Sequence, residues 1–194
     1  MGFIVSKAGI CVDPSKVDAI INLPPPSTLH QLQILKGKAN FLRRFIPNYT
    51  ELTKGFTRLL KPNIPFFWDE VANSSFDALK NALTHAPLLH PPKYNQDYFF
   101  YLATFYSTIG MVLVQEDEFH GEHVIYYLSQ NLHPTAIKYS HVEKLALAAV
   151  QVVQCFHHYI LLHKTTTISD CNPMMYILTK QLLGGKYSKW IVIL

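Results

Sequence analysis

Cysteine is scarce in this 194-residue chain. The three present, Cys11, Cys155 and Cys171, are scattered and odd in number. They imply no disulfide framework, and no Cys/His spacing reads as a zinc site. No apolar run approaches the roughly 18 residues of a helical membrane span, so no membrane partner is expected. The first residues, MGFIVSKAGICVD, lack an apolar leader followed by a cleavage site. An intracellular location, cytoplasm or nucleus, is the expectation. Gly2 and Ser6 fit the myristoylation pattern formally, but the residues after them read as a strand inside a fold. Two aspartates never stand side by side.

What the chain does have is apolar substance. Hydrophobic residues make up 49% and aromatics 13%, enough for a real core. The length suits one large domain or two small ones. The formal net charge of +4 permits nucleic-acid contact without requiring it, and ten His add charge below about pH 6.5.

The first half reads as a hairpin followed by helices. Residues 3–5 and 10–12 are short β-prone runs with a turn between them. Asp13-Pro14 starts a short helix over 15–22, and Pro24-Pro25-Pro26 forms a stiff linker. Ser27 or Thr28 caps the next helix. Its apolar residues Leu32, Leu35, Ala39, Leu42, Phe45 and Ile46 recur at three- and four-residue spacing. A second helix is expected over 49–60. Asp69 caps a third, carrying Phe76, Leu79 and Leu83.

The second half changes character. Residues 98–104, 109–115 and 124–129 read as consecutive antiparallel strands. A long helix is expected over 137–159, a returning strand over 165–169, and a helical stretch over 173–179. Trp190 to Leu194 closes the chain as an apolar segment. The order is β-β-β-α-β-α.

Several stretches resemble the polyprotein of gypsy-type long-terminal-repeat retrotransposons. Gly2-Phe3-Ile4-Val5-Ser6-Lys7-Ala8-Gly9-Ile10, with Asp13-Pro14-Ser15-Lys16-Val17, resembles the segment leaving the reverse transcriptase palm. Gly37-Lys38-Ala39-Asn40-Phe41-Leu42-Arg43-Arg44-Phe45-Ile46 resembles the helix of the thumb and connection region. Phe67-Trp68, Phe76-Asp77-Ala78-Leu79-Lys80 and Ala86-Pro87-Leu88-Leu89 resemble the lead into the nuclease. Tyr126-Tyr127-Leu128-Ser129, Tyr139-Ser140-His141-Val142-Glu143-Lys144 and His157-His158-Tyr159 resemble its RNase H-like module. Gly184-Gly185-Lys186 and Lys189-Trp190 match downstream positions with substitutions.

The resemblance implies an α+β architecture. Residues 1–26 would end the palm, 27–95 would form a helical connection region, and 96–194 would form a C-terminally truncated RNase H-like domain. That domain would be built on a five-stranded mixed sheet with flanking helices. The palm's Asp pair would lie upstream of Met1. The implied partner is an RNA–DNA hybrid or template–primer, with no small-molecule substrate.

It also implies a chemistry that this sequence lacks the residues to perform. The family cleaves RNA with two Mg²⁺ ions held by clustered carboxylates. Phe105 stands where the first acid belongs. Leu145 stands at the second, in the pattern Tyr-Ser-x-x-Glu-Lys-Glu. Glu143 matches that pattern but lies two residues earlier, about 200° around a helix, where it reads as an acid complementing the macrodipole. Asp170 matches the third acid and is the candidate catalytic residue and metal ligand, although an Asp before Asn172-Pro173 also suits a helix cap. A fourth acid would lie beyond Leu194. Stable Mg²⁺ binding is therefore not expected, and neither is RNase H activity.

A binding role is the alternative. Lys36, Lys38, Arg43 and Arg44 read as a basic face beside Phe41 and Phe45, suited either to phosphate contacts or to plain solvation with the aromatics in the core. His157, His158 and His163 have no acid or Cys at ligand spacing, so they do not read as a metal site.

Overall fold

The computed structural model describes residues 2–161 and 163–179. The chain divides into two compact units, Met1–Pro91 and Pro92–Leu194. The hairpin and helices expected as separate 1–26 and 27–95 segments thus belong to one unit, up to its end at Pro91. The architecture is mixed α+β, as the sequence reading anticipated.

The first unit opens with an antiparallel hairpin, β1 (Phe3–Ser6) and β2 (Gly9–Val12). Gly9 has φ +146°, and a Cβ there would meet the Leu89 carbonyl at 2.6 Å. Only glycine fits where Ile10 pairs with Leu89. Helix α1 (Pro14–Ile21) starts at Asp13, whose carboxylate accepts from the Ser15 N–H at 3.0 Å. Helix α2 (Leu29–Leu42) starts at Thr28, whose hydroxyl oxygen accepts from the Gln31 N–H. All six residues of the apolar stripe, Leu32 to Ile46, are buried.

The expected helix over 49–60 is broken instead into α3 (Tyr49–Leu52), α4 (Lys54–Thr57) and a 3₁₀ turn over Arg58–Leu60. The Thr53 hydroxyl donates back to the Tyr49 carbonyl at 2.8 Å, closing the first turn. The break lets Gly55 approach the next helix so closely that a Cβ would lie 2.1 Å from Ser75 Oγ. That helix, α5 (Glu70–Thr84), is capped by Asp69, which also pairs with Arg58. Phe56, Phe76, Leu79 and Leu83 are buried, and Trp68 stacks on Phe56 and meets Phe76 edge-on.

The second unit holds a four-stranded mixed sheet in the order β5-β4-β3-β6. Strands β3 (Tyr98–Thr104), β4 (Thr108–Glu116) and β5 (Glu122–Asn131) form an antiparallel meander. Strand β6 (Thr165–Ile168) pairs parallel to β3, Tyr98 opposite Thr165 and Tyr101 opposite Ile168. The fifth strand implied by the resemblance is not among the described residues, and the segments 184–186 and 189–194 lie outside them. The long helix starts later than expected. Residues 134–137 form a separate turn, α6 (Pro134–Ile137), and α7 (His141–Ile160) begins at a capping box. Helix α8 (Pro173–Thr179) follows β6. The core lies where α7 packs on the sheet, with Tyr98, Phe100, Met111, Leu145, Val152 and Phe156 buried together. No helix among the described residues is long and apolar enough to cross a membrane.

Candidate functional site

The parallel pairing of β3 and β6 brings their C-terminal ends to the same side of the sheet. Thr104 ends β3, and Asp170 follows β6 by two residues. The start of α7 meets both. His141, its first residue, places Nδ1 2.8 Å from Thr104 Oγ1 and Nε2 2.7 Å from Asp170 Oδ2. Cys171 completes a cluster in which one ligand atom each of His141, Asp170 and Cys171 all lie within 4.8 Å of one another. His141 and Asp170 are exposed, and Cys171 is half-buried.

Local sequence explains why the backbone is held here. Ser140 and Glu143 form a reciprocal capping box. The Glu143 carboxylate accepts from the Ser140 N–H at 2.9 Å, and Ser140 Oγ accepts from the Glu143 N–H at 3.4 Å. Ser169 Oγ donates to the Cys171 carbonyl at 2.6 Å. Asn172 Oδ1 accepts from the N–H groups of Met174 and Met175, both at 3.0 Å, and so starts α8. The cap of that helix is Asn172, which leaves the Asp170 side chain to His141.

The positions singled out in the sequence are placed as follows. Glu143 is spent on the helix cap. Leu145 is fully buried among the core residues of the sheet and α7. Phe105 is 40% exposed in the β3–β4 turn and offers no ligand atom. Asp170 lies on the rim of a cleft of about 540 Å³, lined by Phe100, Val152, Thr167, Cys171, Pro173 and Met174. His158 packs against Tyr159, and His163 meets Tyr98 edge-on.

The expected basic face in the first unit does not hold together. Lys36 and Lys38 are both exposed on α2, but two residues apart they point about 200° away from each other. Arg43 and Arg44 lie in a 3₁₀ turn and are half-buried. The Arg44 guanidinium sits 5.7 Å from the Phe3 ring centre and 5.8 Å from that of Phe45. Phe45 is in the core, whereas Phe41 is exposed and stacks on Phe3. Lys38 instead borders an apolar groove with Lys16, Ala19 and Phe41.

The sequence reading missed Thr104, His141 and Cys171. His141 and Cys171 stand thirty residues apart, and they meet because the start of α7 lies against the C-terminal ends of the paired strands β3 and β6. The one available signal was that both flank matched motif positions.

Comparison with known proteins now identifies the scaffold. Residues 68–168 match the model of the RNase H-like domain found in reverse transcriptase. The chain belongs to this family. The RNase H-like chain is 30% identical to a retrovirus-related Pol polyprotein from the Drosophila melanogaster transposon opus, over 98% of its own length and 20% of that protein. It is 29% identical to the corresponding polyprotein of Drosophila transposon 297, over 99% of its length and 18% of that protein. It therefore spans about a fifth of these curated relatives. A foamy viral protease-reverse transcriptase, solved in complex with double-stranded DNA, superposes with a TM-score of 0.83. That match has 23% identity and covers 100% of this chain and 34% of the other. The chain thus carries the reverse transcriptase-associated RNase H-like domain of retroelement polyproteins.

Proposed function

We propose that this chain is a nucleic-acid-binding RNase H-like module of gypsy-type retrotransposon origin that does not cleave RNA. The observation that supports the loss of cleavage is the donor set around Asp170. Two Mg²⁺ ions need clustered hard oxygen ligands, and several negative charges to balance them. Here the cluster offers one carboxylate, one imidazole and one thiol. Phe105 contributes only hydrocarbon, and the Leu145 side chain is turned into the core. This set does not fit two Mg²⁺ ions.

The purified chain, incubated with labelled RNA–DNA hybrid and Mg²⁺ or Mn²⁺, is expected to leave the RNA intact. Cleavage that disappears in Asp170→Asn overturns the proposal.

The binding half of the reading rests on how charge is distributed. Residues 1–91 carry ten Lys and Arg against six Asp and Glu, while residues 92–194 carry seven of each. All the formal excess of positive charge therefore belongs to the first unit. Such an excess favours phosphate contact. Foamy viral relatives of the fold are solved with double-stranded DNA and with RNA/DNA hybrid. We take the hybrid as the ligand of this chain as well, and filter binding across a salt series tests it. Affinity that falls with salt supports the reading, and salt-independent or absent binding refutes it.

The gypsy-type origin is supported by the ordered motifs from Gly2 to Tyr159. Sequencing the flanking genome decides it. Polymerase motifs upstream and an integrase downstream are expected.

A further inference from the structure

We propose that His141, Asp170 and Cys171 form a binding site for a borderline divalent transition-metal ion, of which Zn²⁺ is the best fit. This stands apart from the loss of RNA cleavage, since it requires no nuclease activity and predicts none. The set of donors carries it. Imidazole nitrogen and thiolate sulfur favour Zn²⁺ and its neighbours, whereas Mg²⁺ takes oxygen. One carboxylate and one thiolate balance the charge of a single divalent ion. Three protein ligands leave a fourth tetrahedral position for water, the pattern of an open zinc site.

Geometry agrees with the chemistry. Around Zn²⁺, with bonds of about 2.0–2.3 Å, ligand atoms stand roughly 3.5 Å apart. In the structure His141 Nε2 and Asp170 Oδ2 are 2.7 Å apart, and no pair in the cluster exceeds 4.8 Å. Closing the set around an ion moves each atom by about an ångström. His141 and Asp170 are exposed, and side chains on the surface make such rotations freely.

The backbone under the ligands is fixed at both ends, by the Ser140–Glu143 capping box and by the Ser169 and Asn172 contacts described above. Thr104 supplies the outer contact. A histidine that ligates through Nε2 carries its proton on Nδ1, and a hydroxyl oxygen 2.8 Å away accepts it.

Titrating the full chain with Co²⁺ under reducing conditions tests the site. One equivalent of Co²⁺ is expected to give a thiolate-to-metal charge-transfer band that Zn²⁺ abolishes and excess Mg²⁺ leaves unchanged. Cys171→Ser should remove the band, while a Cys11→Ser/Cys155→Ser double variant should keep it. His141→Gln should weaken binding despite the remaining histidines, and Thr104→Val should weaken it by about 10- to 100-fold. Far-UV circular dichroism of each variant monitors its fold. The proposal fails if the band is absent, if it survives Cys171→Ser, if it depends on Cys11 or Cys155, or if His141→Gln leaves the affinity unchanged in a folded protein.

Discussion

Leu145 and Phe105 both stand where the family resemblance implies an acid, yet their surroundings differ. Leu145 is fully buried against Phe100, Val152 and the other core residues of the second unit. Phe105 is 40% exposed in a turn, with its N–H donating to the Thr108 carbonyl. Restoring an acid should therefore have opposite consequences at the two positions. Leu145→Glu buries a carboxylate among hydrocarbon and is expected to destabilise the fold by about 3 kcal/mol or more. Phe105→Asp is expected to change stability by less than about 1 kcal/mol. Urea denaturation of the two variants measures both, and similar midpoints would show that the position of Leu145 is not the core position assigned to it. The asymmetry has a functional meaning. Under the proposed loss of cleavage, the position of Leu145 is closed by packing and that of Phe105 is not.

Among the elements, the β4–β5 hairpin gathers three contacts of its turn on a single carboxylate. Asp117 Oδ1 accepts from the Gly121 N–H at 2.7 Å and the Phe119 N–H at 2.8 Å, and Oδ2 lies 2.9 Å from His123 Nε2. The Gly121 amide, then the His123 ring, then the Phe119 amide hold the Asp117 carboxyl down to about 2, from an ordinary value of 3.8. A depressed carboxyl stabilises the folded state above the unfolded value. That contribution is present above about pH 4 and is lost as pH falls towards 2. The Gly121 amide resonance, followed by NMR against pH, should titrate with a midpoint near 2. A midpoint near 4 would mean that the loop does not hold the charged form.

How far these elements were legible in the sequence depends on what ends them. The stripe from Leu32 to Ile46 and the cap at Asp69 are local signals, and α2 and α5 follow from them. The break at Thr53 was not visible, because it exists to let Gly55 meet α5, a contact between residues twenty apart. Similarly, periodicity alone extended the long helix back to 137, whereas the capping box at Ser140 sets its true start. Asp170 was found by its motif. His141 and Cys171 were not, since the packing of the α7 start on the ends of β3 and β6, and not spacing, joins them. Arg44 was misplaced because a basic residue next to an amphipathic stripe reads as solvated, while here two aromatic rings hold it.

For the whole molecule, the question is which charges meet a nucleic acid. The excess in residues 1–91 is four, and that of residues 92–194 is zero. Each phosphate contact that a cation makes on duplex contributes about 0.9 to the slope of log K against log salt. Lys36 and Lys38 are exposed, so Lys36→Ala or Lys38→Ala should reduce that slope by about 1 where the residue touches phosphate. They point in different directions from α2, so one duplex should engage only one of them strongly. Arg44, held between Phe3 and Phe45, should contribute less to the slope than to the stability of the first unit. Lys164, in the charge-neutral half, is the control and should leave the slope unchanged. Filter binding of these four alanine variants to an RNA–DNA hybrid, each over the same salt series, ranks them. If Lys164→Ala lowers the slope while Lys36→Ala and Lys38→Ala do not, the excess charge of the first unit is not what holds the nucleic acid, and the interface has to be sought on the sheet of the second.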